Sequence, residues 1–350
     1  MRPLANICKE IHARYHPKSS SCPYQVKTWS EKDVLDKDIV DAFVLILQTR
    51  GCSWMQQSGC SMCGYFTDSA LKEVSDEALL TQIENAVEKY SDQPIIKIFN
   101  SGSFLDESEI SKQAQIQIIK RLSKLSAKKI AVESRPQYIT KEPLIQIKKN
   151  LSPQRFEIGI GLESSNDFIR THAINKGFSF ATYKKATKLV HDQNMSVKTY
   201  VLIKPPFLTE QEAIDDSIHT IHDIADFTDV ISLNPTNVQR YTVVEYLWKR
   251  QHYRPPWLWS VKEILTQGIT QYPHLRFQCD IVGGGKPRGA HNCPNCDKQL
   301  LEQIHRVSLS QSLNDFYEID CSCKRLWEDQ LNLEHLSFGS LVDAQRWMPL

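Results

Sequence analysis

The chain has 350 residues, of which 41% are hydrophobic and 24% are charged, with 42 Lys and Arg against 41 Asp and Glu. This composition excludes a disordered or fibrous chain and allows one large domain with a small addition. The net charge of +1 gives no general attraction for nucleic acid, so an RNA partner would have to meet a local basic patch or a second subunit.

Targeting signals and cysteine use indicate a cytoplasmic protein. The segment 1–20 is too polar for a secretory signal, and no apolar run reaches the ~20 residues that a membrane helix needs. We therefore expect no membrane partner. Seven of the ten cysteines lie in two tight groups. In a reducing compartment such groups are suited to metal binding rather than to disulfides.

Short apolar runs alternate along the chain with segments of helical periodicity. The runs cover residues 43–47, 95–99, 129–132, 156–160, 197–203 and 230–233. Each is typical of a strand buried on both faces. Helix starts are indicated at Ser75 and at two capping boxes, Thr209 with Glu212 and Ser260 with Glu263. The alternation predicts an α/β fold in which right-handed βα units close into a partial (β/α)6 barrel similar to a TIM barrel.

The same pattern divides the chain into three segments. Residues 1–40 are predicted to form an N-terminal extension packed on the barrel, and residues 41–275 to form the barrel itself. Residues 276–350 depart from the alternation and contain five cysteines, four of them in two close pairs, which predicts a small C-terminal metal-binding appendage.

Three cysteines follow the first predicted strand and leave a fourth ligand position with no nearby candidate. Cys52, Cys60 and Cys63 are separated by seven and two residues. A closed zinc site needs four protein ligands, whereas a 4Fe-4S cluster held by three thiolates keeps one iron free. The loop resembles the cluster loop of radical S-adenosylmethionine (SAM) enzymes, in which the free iron chelates SAM and an electron passes to the sulfonium. A zinc site completed by a distant ligand, or three buried thiols, are the alternatives.

Polar residues follow the later strands, where barrel enzymes place their chemistry. The stretch Asn100, Ser101, Gly102 and Ser103 is similar to the motif that binds the SAM ammonium, although an ordinary strand-to-helix turn is the alternative. The other predicted cofactor-binding residues are Met62, Tyr65, Glu133, Arg135, Glu163, Lys204 and Asn234.

The residue types suggest individual roles. Arg135 can fork onto the SAM carboxylate, and a glutamate such as Glu133 or Glu163 can accept from the ribose hydroxyls. Met62 is placed to face the adenine. Lys204 is either a carboxylate ligand or a lysine reaching solvent, and Asn234 either reads the adenine edge or belongs to a turn. A Glu133–Arg135 ion pair without any ligand is the alternative for those two residues.

The second cysteine group consists of Cys293, Cys296, Cys321 and Cys323. Two close pairs supply the four sulfurs of a tetrahedral zinc site. Structural zinc and a second 4Fe-4S cluster both remain open, with His291 as a reserve ligand.

Several stretches together resemble the archaeosine biosynthesis radical SAM family (RaSEA), over most of the chain. They are 51–54, 59–65, 133–136, 234–239, 254–259 and 288–293. More distantly, the barrel is similar to the catalytic subunit of Elongator, which also has a lengthened first cysteine spacing.

The resemblance implies a function in tRNA modification. In that pathway a lysine-transferring subunit, ArcS, joins the lysine side-chain amine to a 7-cyano-7-deazaguanine in archaeal tRNA. The family's radical lyase then cleaves the lysine C–N bond, leaving the amidine of archaeosine and releasing the lysine skeleton as an aldehyde. Hydrogen abstraction by a deoxyadenosyl radical at the carbon next to the nitrogen would set up this cleavage. The implied partners are tRNA, ArcS and an electron donor.

Two other functions remain open at this stage. One is a radical SAM methyltransferase or methylthiotransferase acting on RNA, and the other is a non-catalytic zinc- or RNA-binding scaffold. An RNA-facing surface is predicted around Lys249, Arg250, Arg254, Lys286 and Arg288, with a packing role for residues 254–259 as the alternative.

Overall fold

A computed structural model describes residues 3–16, 24–70, 72–151, 153–334 and 336. Its centre is one curled, open sheet of eight strands, whose order in space equals their order in the chain. The strands are β1 (Lys27–Leu35), β2 (Asp38–Leu47), β3 (Ile95–Asn100), β4 (Lys129–Glu133), β5 (Arg155–Glu163), β6 (Ser196–Ile203), β7 (Val230–Pro235) and β8 (Arg276–Cys279).

The six predicted strands are confirmed as β2 to β7, which pair in parallel in sequence order. The sheet is longer than predicted because a strand is added at each edge. β1 pairs antiparallel with β2, and β8 pairs parallel with β7. β1 carries few apolar residues and β8 has only four residues, so neither gives the apolar signal of a central strand.

The described part of the chain contains twelve α-helices, and most of the longer ones pack on one face of the sheet. The twelve helices are α1 (Pro3–His12), α2 (Ser53–Gln57), α3 (Asp76–Val87), α4 (Lys112–Leu122), α5 (Lys141–Asn150), α6 (Asp167–Ile169), α7 (Phe180–His191), α8 (Glu210–Ile224), α9 (Val243–Trp248), α10 (Leu258–Gln271), α11 (Asp297–Ser310) and α12 (Cys323–Glu334). Ser75 caps α3, and Thr209 with Glu212 forms the predicted capping box of α8. None of the helices in the described part of the chain is long and apolar enough to cross a membrane.

The capping box predicted at Ser260 is wrong. α10 begins two residues earlier, at Leu258, with Trp257 as its N-cap. The Ser260 hydroxyl instead donates a 2.6 Å hydrogen bond to the Glu210 carboxylate, which also accepts from the Trp257 backbone amide. The helix start is therefore held by a carboxylate from α8, a contact that local sequence does not encode.

The two faces of the sheet differ in chemistry. Residues such as Ile96, Ile98 and Ile130 are fully buried in the apolar core. The residues that alternate with them include Lys97 and Lys129, which are buried in ion pairs. The lumen is thus polar, while the helix-covered face holds the apolar core.

The predicted division at residues 40 and 275 stays a prediction. β1 lies within the N-terminal segment and β8 within the C-terminal segment, and both belong to the barrel sheet. Residues 17–23 and 337–350 of those segments lie outside the described residues.

Candidate active site

The cysteine triplet occupies a compact loop directly after β2. Cys52 is the N-cap of the short helix α2, and Cys60 and Cys63 follow it in tight turns. Gly59 has a φ of 78°, and a Cβ there would lie 2.8 Å from Nδ1 of His12, so glycine is required. All three cysteines line one large cavity.

The loop is tied to the segment that follows β5. The side-chain amide of Asn175 donates to the Gly59 carbonyl at 2.6 Å and to the Ser58 hydroxyl at 2.8 Å. The Trp54 indole donates to the Asn175 carbonyl at 2.8 Å, and Ser61 donates to the Ala173 carbonyl at 2.6 Å. The cysteine positions are therefore set by residues more than 100 positions later in the chain.

The three thiols suit metal ligation. Burial raises the pKa of the Cys60 thiol, and it raises that of Cys63 to about 12. A bound cation would therefore be needed to hold them as thiolates at neutral pH. Three thiolates are one fewer than the four ligands of a closed zinc site, and they are the number that holds a 4Fe-4S cluster with one iron free.

The segment after β3 lies beside Cys52. A Cβ on Gly102 would overlap the Glu109 carboxylate and lie 2.8 Å from the Cys52 Cα. Glu109 is buried and accepts hydrogen bonds from the Asn100 side chain at 2.7 Å, from the Ser103 backbone amide at 2.6 Å and from Thr49. Oδ1 of Asn100 is buried without a hydrogen-bond partner, and Asn100 lines the cavity. An unsatisfied acceptor beside the cysteines fits a ligand ammonium.

In the cavity wall, Lys176 contacts both Glu163 and Arg135. Lys176 was not predicted from the sequence. The Lys176 ammonium lies 2.6 Å from the Glu163 carboxylate, and the Lys176 carbonyl accepts from Arg135 at 2.5 Å. Glu163 has a φ of 72° at a β-bulge, a strained conformation typical of functional positions. Lys176 follows no strand directly, so no sequence signal indicated it.

Glu133 and Arg135 are not an ion pair in the structure. The Arg135 guanidinium stacks between the rings of Trp54 and Phe178, each centroid 5.4 Å away. Burial raises the pKa of Glu133, which hydrogen-bonds with Tyr200. Both residues line the cavity. The alternative of a ligand-free Glu133–Arg135 pair is therefore excluded.

Most of the remaining predicted cofactor-binding residues line the cavity, but Ser103 and Lys204 do not. Met62, Tyr65, Ser101, Gly102 and Asn234 line the cavity. Ser103 is buried behind the wall, where its hydroxyl accepts from the Arg135 backbone amide at 3.0 Å.

Lys204 lies apart from that group. It is 5% exposed, so it does not reach solvent, and its ammonium pairs with Glu210 at 2.6 Å. Its carbonyl accepts a hydrogen bond from the Tyr253 hydroxyl at 2.7 Å.

The cavity has a volume of about 1530 Å³. Sites for a single small molecule occupy roughly 300–1,000 Å³. The volume is therefore sufficient for a cofactor together with part of a substrate. The lining extends from the cysteine loop into the barrel lumen, where it includes Lys97, Lys198, Ser232 and Gln278.

The C-terminal cysteines form a second, separate group. Neighbouring sulfur atoms of Cys293, Cys296, Cys321 and Cys323 lie 3.4 to 3.7 Å apart. Ligands at about 2.3 Å from one tetrahedral ion would be about 3.8 Å apart. The Trp259 indole donates to the Cys323 sulfur and the Asn292 amide to the Cys296 sulfur, as metal-bound thiolates require. His291 is not part of this group, since its Nδ1 contacts the Gly289 carbonyl.

The predicted RNA-facing surface is only partly available, because two of its basic side chains share one carboxylate and the neighbouring tryptophans are buried, whereas Arg250 and Lys286 are exposed. Trp257 and Trp259 are 8% and 4% exposed, so the segment 254–259 serves packing. Arg288 and Lys249 both pair with Glu245, at 2.8 and 3.3 Å.

No family model matches the chain. Among solved structures, methylornithine synthase superimposes with a TM-score of 0.53 at 11% identity, covering 99% of this chain and 91% of that one. The Elp3 protein of Methanocaldococcus infernus superimposes with a TM-score of 0.50 at 18% identity, covering 65% of this chain and 59% of that one. The fold is therefore the partial barrel of the radical SAM enzymes.

Sequence comparison narrows this class to one family. The chain is 39% identical to archaeosine synthase subunit beta of Methanosarcina acetivorans, covering 95% of this chain and 97% of that protein. It is 33% identical to the protein of the same name from Thermococcus kodakarensis, covering 86% and 94%. The chain belongs to the archaeosine synthase subunit beta family.

Proposed function

We propose that this protein is the radical SAM lyase of archaeosine synthase, acting on tRNA. It would cleave the lysine C–N bond of a lysine-modified 7-deazaguanine and leave archaeosine. The observation that carries the proposal is the set of three thiols, Cys52, Cys60 and Cys63, on the wall of a cavity of about 1530 Å³ in a chain of this family.

Different residues of the cavity wall would bind the cluster, the SAM ammonium and the SAM carboxylate. The three cysteines would hold a 4Fe-4S cluster, which together with SAM supplies hydrogen-abstracting chemistry when bound. The unpartnered Oδ1 of Asn100 and the backbone at Gly102 would accept from the SAM ammonium. Arg135, fixed between two aromatic rings, would face the SAM carboxylate.

The ion pair of Glu163 and Lys176 has a positioning role in this proposal. The Lys176 ammonium holds the Glu163 carboxylate in place at 2.6 Å. A carboxylate in that place can accept hydrogen bonds from two ribose hydroxyls of SAM. Asn234 and Met62, both on the lining, would contact the adenine.

The proposed cleavage balances with water as the second reactant. SAM would be the two-electron acceptor overall: the lysine carbon bonded to the amidine nitrogen would lose one hydrogen atom and one electron as SAM is converted to 5'-deoxyadenosine and methionine, and water would add to that carbon with release of a proton. The C–N bond breaks with its electron pair on nitrogen, giving the amidine of archaeosine. The lysine skeleton leaves as an aldehyde.

The C-terminal cysteines would hold zinc. Sulfur separations of 3.4 to 3.7 Å suit one tetrahedral ion, whereas a 4Fe-4S cube would hold four thiolates farther apart. Because the net charge is only +1 and Lys249 and Arg288 share the Glu245 carboxylate, we propose that ArcS provides most of the tRNA phosphate contacts in a complex. An electron donor completes the set of partners.

Anaerobic reconstitution tests the proposal directly. We expect four irons and one zinc per chain, 5'-deoxyadenosine on reduction with SAM, and archaeosine when tRNA carrying the lysine adduct is added. Mass analysis of the tRNA nucleosides identifies the product. A methylated or methylthiolated nucleoside would favour a transferase, and absence of both cluster and 5'-deoxyadenosine would favour a scaffold.

A further inference from the structure

The barrel lumen contains an unusual concentration of buried charge toward the amino ends of the strands. The acidic members are Glu31, Asp33 and Glu157, and the basic members are Lys97, Lys129, Lys198 and Arg276. Barrel interiors are usually filled by layers of branched apolar side chains. Buried ion pairs contribute little to stability on balance, so their presence here points to a role in binding.

Lys198 is the basic residue of this group with the weakest pairing on the cavity side. Its ammonium lies 3.3 Å from Glu157, and the same carboxylate is shared with Lys129 at 3.1 Å. Lys97 also lines the cavity, but it contacts two carboxylates, at 2.7 and 2.5 Å. Of the two lysines of this group that line the cavity, Lys198 therefore has the longer ion-pair contact and is the better placed to accept a ligand carboxylate.

Gln278 supplies an acceptor on the same lining. It is 6% exposed, its side-chain NH2 donates to Asp280 at 2.8 Å, and its Oε1 is buried without a hydrogen-bond partner. Strand register places Tyr200, Ser232 and Gln278 side by side on neighbouring strands, one layer above Lys198. A free acceptor next to a carboxylate is suited to an ammonium group.

We propose that the lumen binds the α-amino-acid end of the substrate, with its carboxylate at Lys198 and its ammonium at Oε1 of Gln278. This inference rests on the proposed function. A tRNA cannot enter a barrel, so the modified base must be turned out of its stack and enter through the mouth. The group attached to the base would then lie deepest in the lumen. For a lysine joined through its side-chain amine, the deepest part is the free α-carboxylate and α-ammonium.

The test compares two small ligands that share the amidine and the five-carbon chain. Nε-acetimidoyl-L-lysine carries the α-carboxylate and α-ammonium, whereas N-pentylacetamidine lacks both. Binding to the reconstituted protein with SAM is measured by anaerobic calorimetry. We expect the lysine compound to bind at least about tenfold more tightly, since each charged hydrogen bond contributes roughly that factor. Equal affinities would overturn the inference.

Two variants locate the preference within the lumen. Lys198→Met should abolish it. Lys129→Met removes the same charge from the same Glu157 carboxylate but lies outside the cavity lining, so it should retain the preference. Circular dichroism checks folding, and if Lys198→Met fails to fold, Gln278→Leu serves as the second test and should weaken the preference. Equal loss in Lys129→Met, or an unchanged preference in the lining variants, would contradict the assignment.

The two proposals fail in different ways. If the wild-type protein prefers the lysine compound but forms no archaeosine, the amino-acid subsite is supported and the proposed reaction is contradicted. If it forms archaeosine but binds both ligands equally, the reaction is supported and the subsite is contradicted.

Discussion

The side-chain amide of Asn175 donates a 2.6 Å hydrogen bond to the carbonyl of Gly59, the residue before the second cysteine of the triplet. Asn175 has a φ of 58°, a left-handed conformation that asparagine tolerates well. The cysteine loop after β2 is thereby fastened to the turn after β5. The geometry of the cysteine loop therefore depends on the sheet being formed as far as β5.

We predict that Asn175→Ala lowers iron loading without unfolding the barrel. The variant loses the hydrogen bonds to Gly59 and Ser58, each contributing about 1 kcal/mol to holding the loop. Iron per chain after anaerobic reconstitution is the measurement. Asn194→Ala changes an exposed asparagine of the same backbone conformation and is the matched control. Equal iron loss in both variants would show that the effect is one of backbone strain.

We predict that Cys60→Ala abolishes 5'-deoxyadenosine formation while the fold remains intact. Removing one of three thiolates prevents stable cluster ligation. Chromatography of the SAM cleavage products gives the result, and circular dichroism checks the fold. Continued cleavage in Cys60→Ala would contradict the ligand assignment.

We predict that Cys296→Ala removes the C-terminal metal and lowers the unfolding temperature, with the N-terminal cluster still formed. A structural zinc site contributes several kcal/mol to the fold that it joins, here the start of α11 and of α12. Zinc and iron per chain should change independently. Loss of iron in step with zinc would instead support a second iron-sulfur cluster or one shared folding defect.

We predict that the stability of the wild type relative to Asp216→Asn depends on pH. Burial raises the pKa of Asp216 to about 7, well above the value of an unfolded aspartate. Above pH 7 the folded protein holds a buried, ionised carboxylate, so the wild type is less stable than the variant. As pH falls from 8 toward 4, the folded state takes up the proton first, and the wild type gains stability.

Melting temperatures at pH 8 and pH 5 measure this difference. The gap between Asp216→Asn and the wild type should narrow at the lower pH. Asp215→Asn, one position away, changes an exposed carboxylate that accepts a hydrogen bond from Gln211, and it controls for loss of a charge in α8. A gap that does not change with pH would refute the buried-carboxylate explanation.

Much of the fold and part of the site followed from the sequence. Strands β2 to β7 were predictable because short apolar runs reflect burial on both faces, a property of each run alone. The two cysteine groups could also be predicted, because metal binding requires a fixed number of closely spaced ligands. The capping box of α8 formed as predicted since both of its partners lie within four residues.

What the sequence could not determine depends on contacts between distant segments. Lys176 joins the cavity wall, Lys204 is paired with Glu210, and Ser260 bonds Glu210 instead of capping its helix. Hydrogen bonds and ion pairs are formed with whichever group the folded barrel brings near, and a linear sequence pattern does not record which group that is. The sequence determined which chemistry is present, and tertiary structure decided which residues share the cavity.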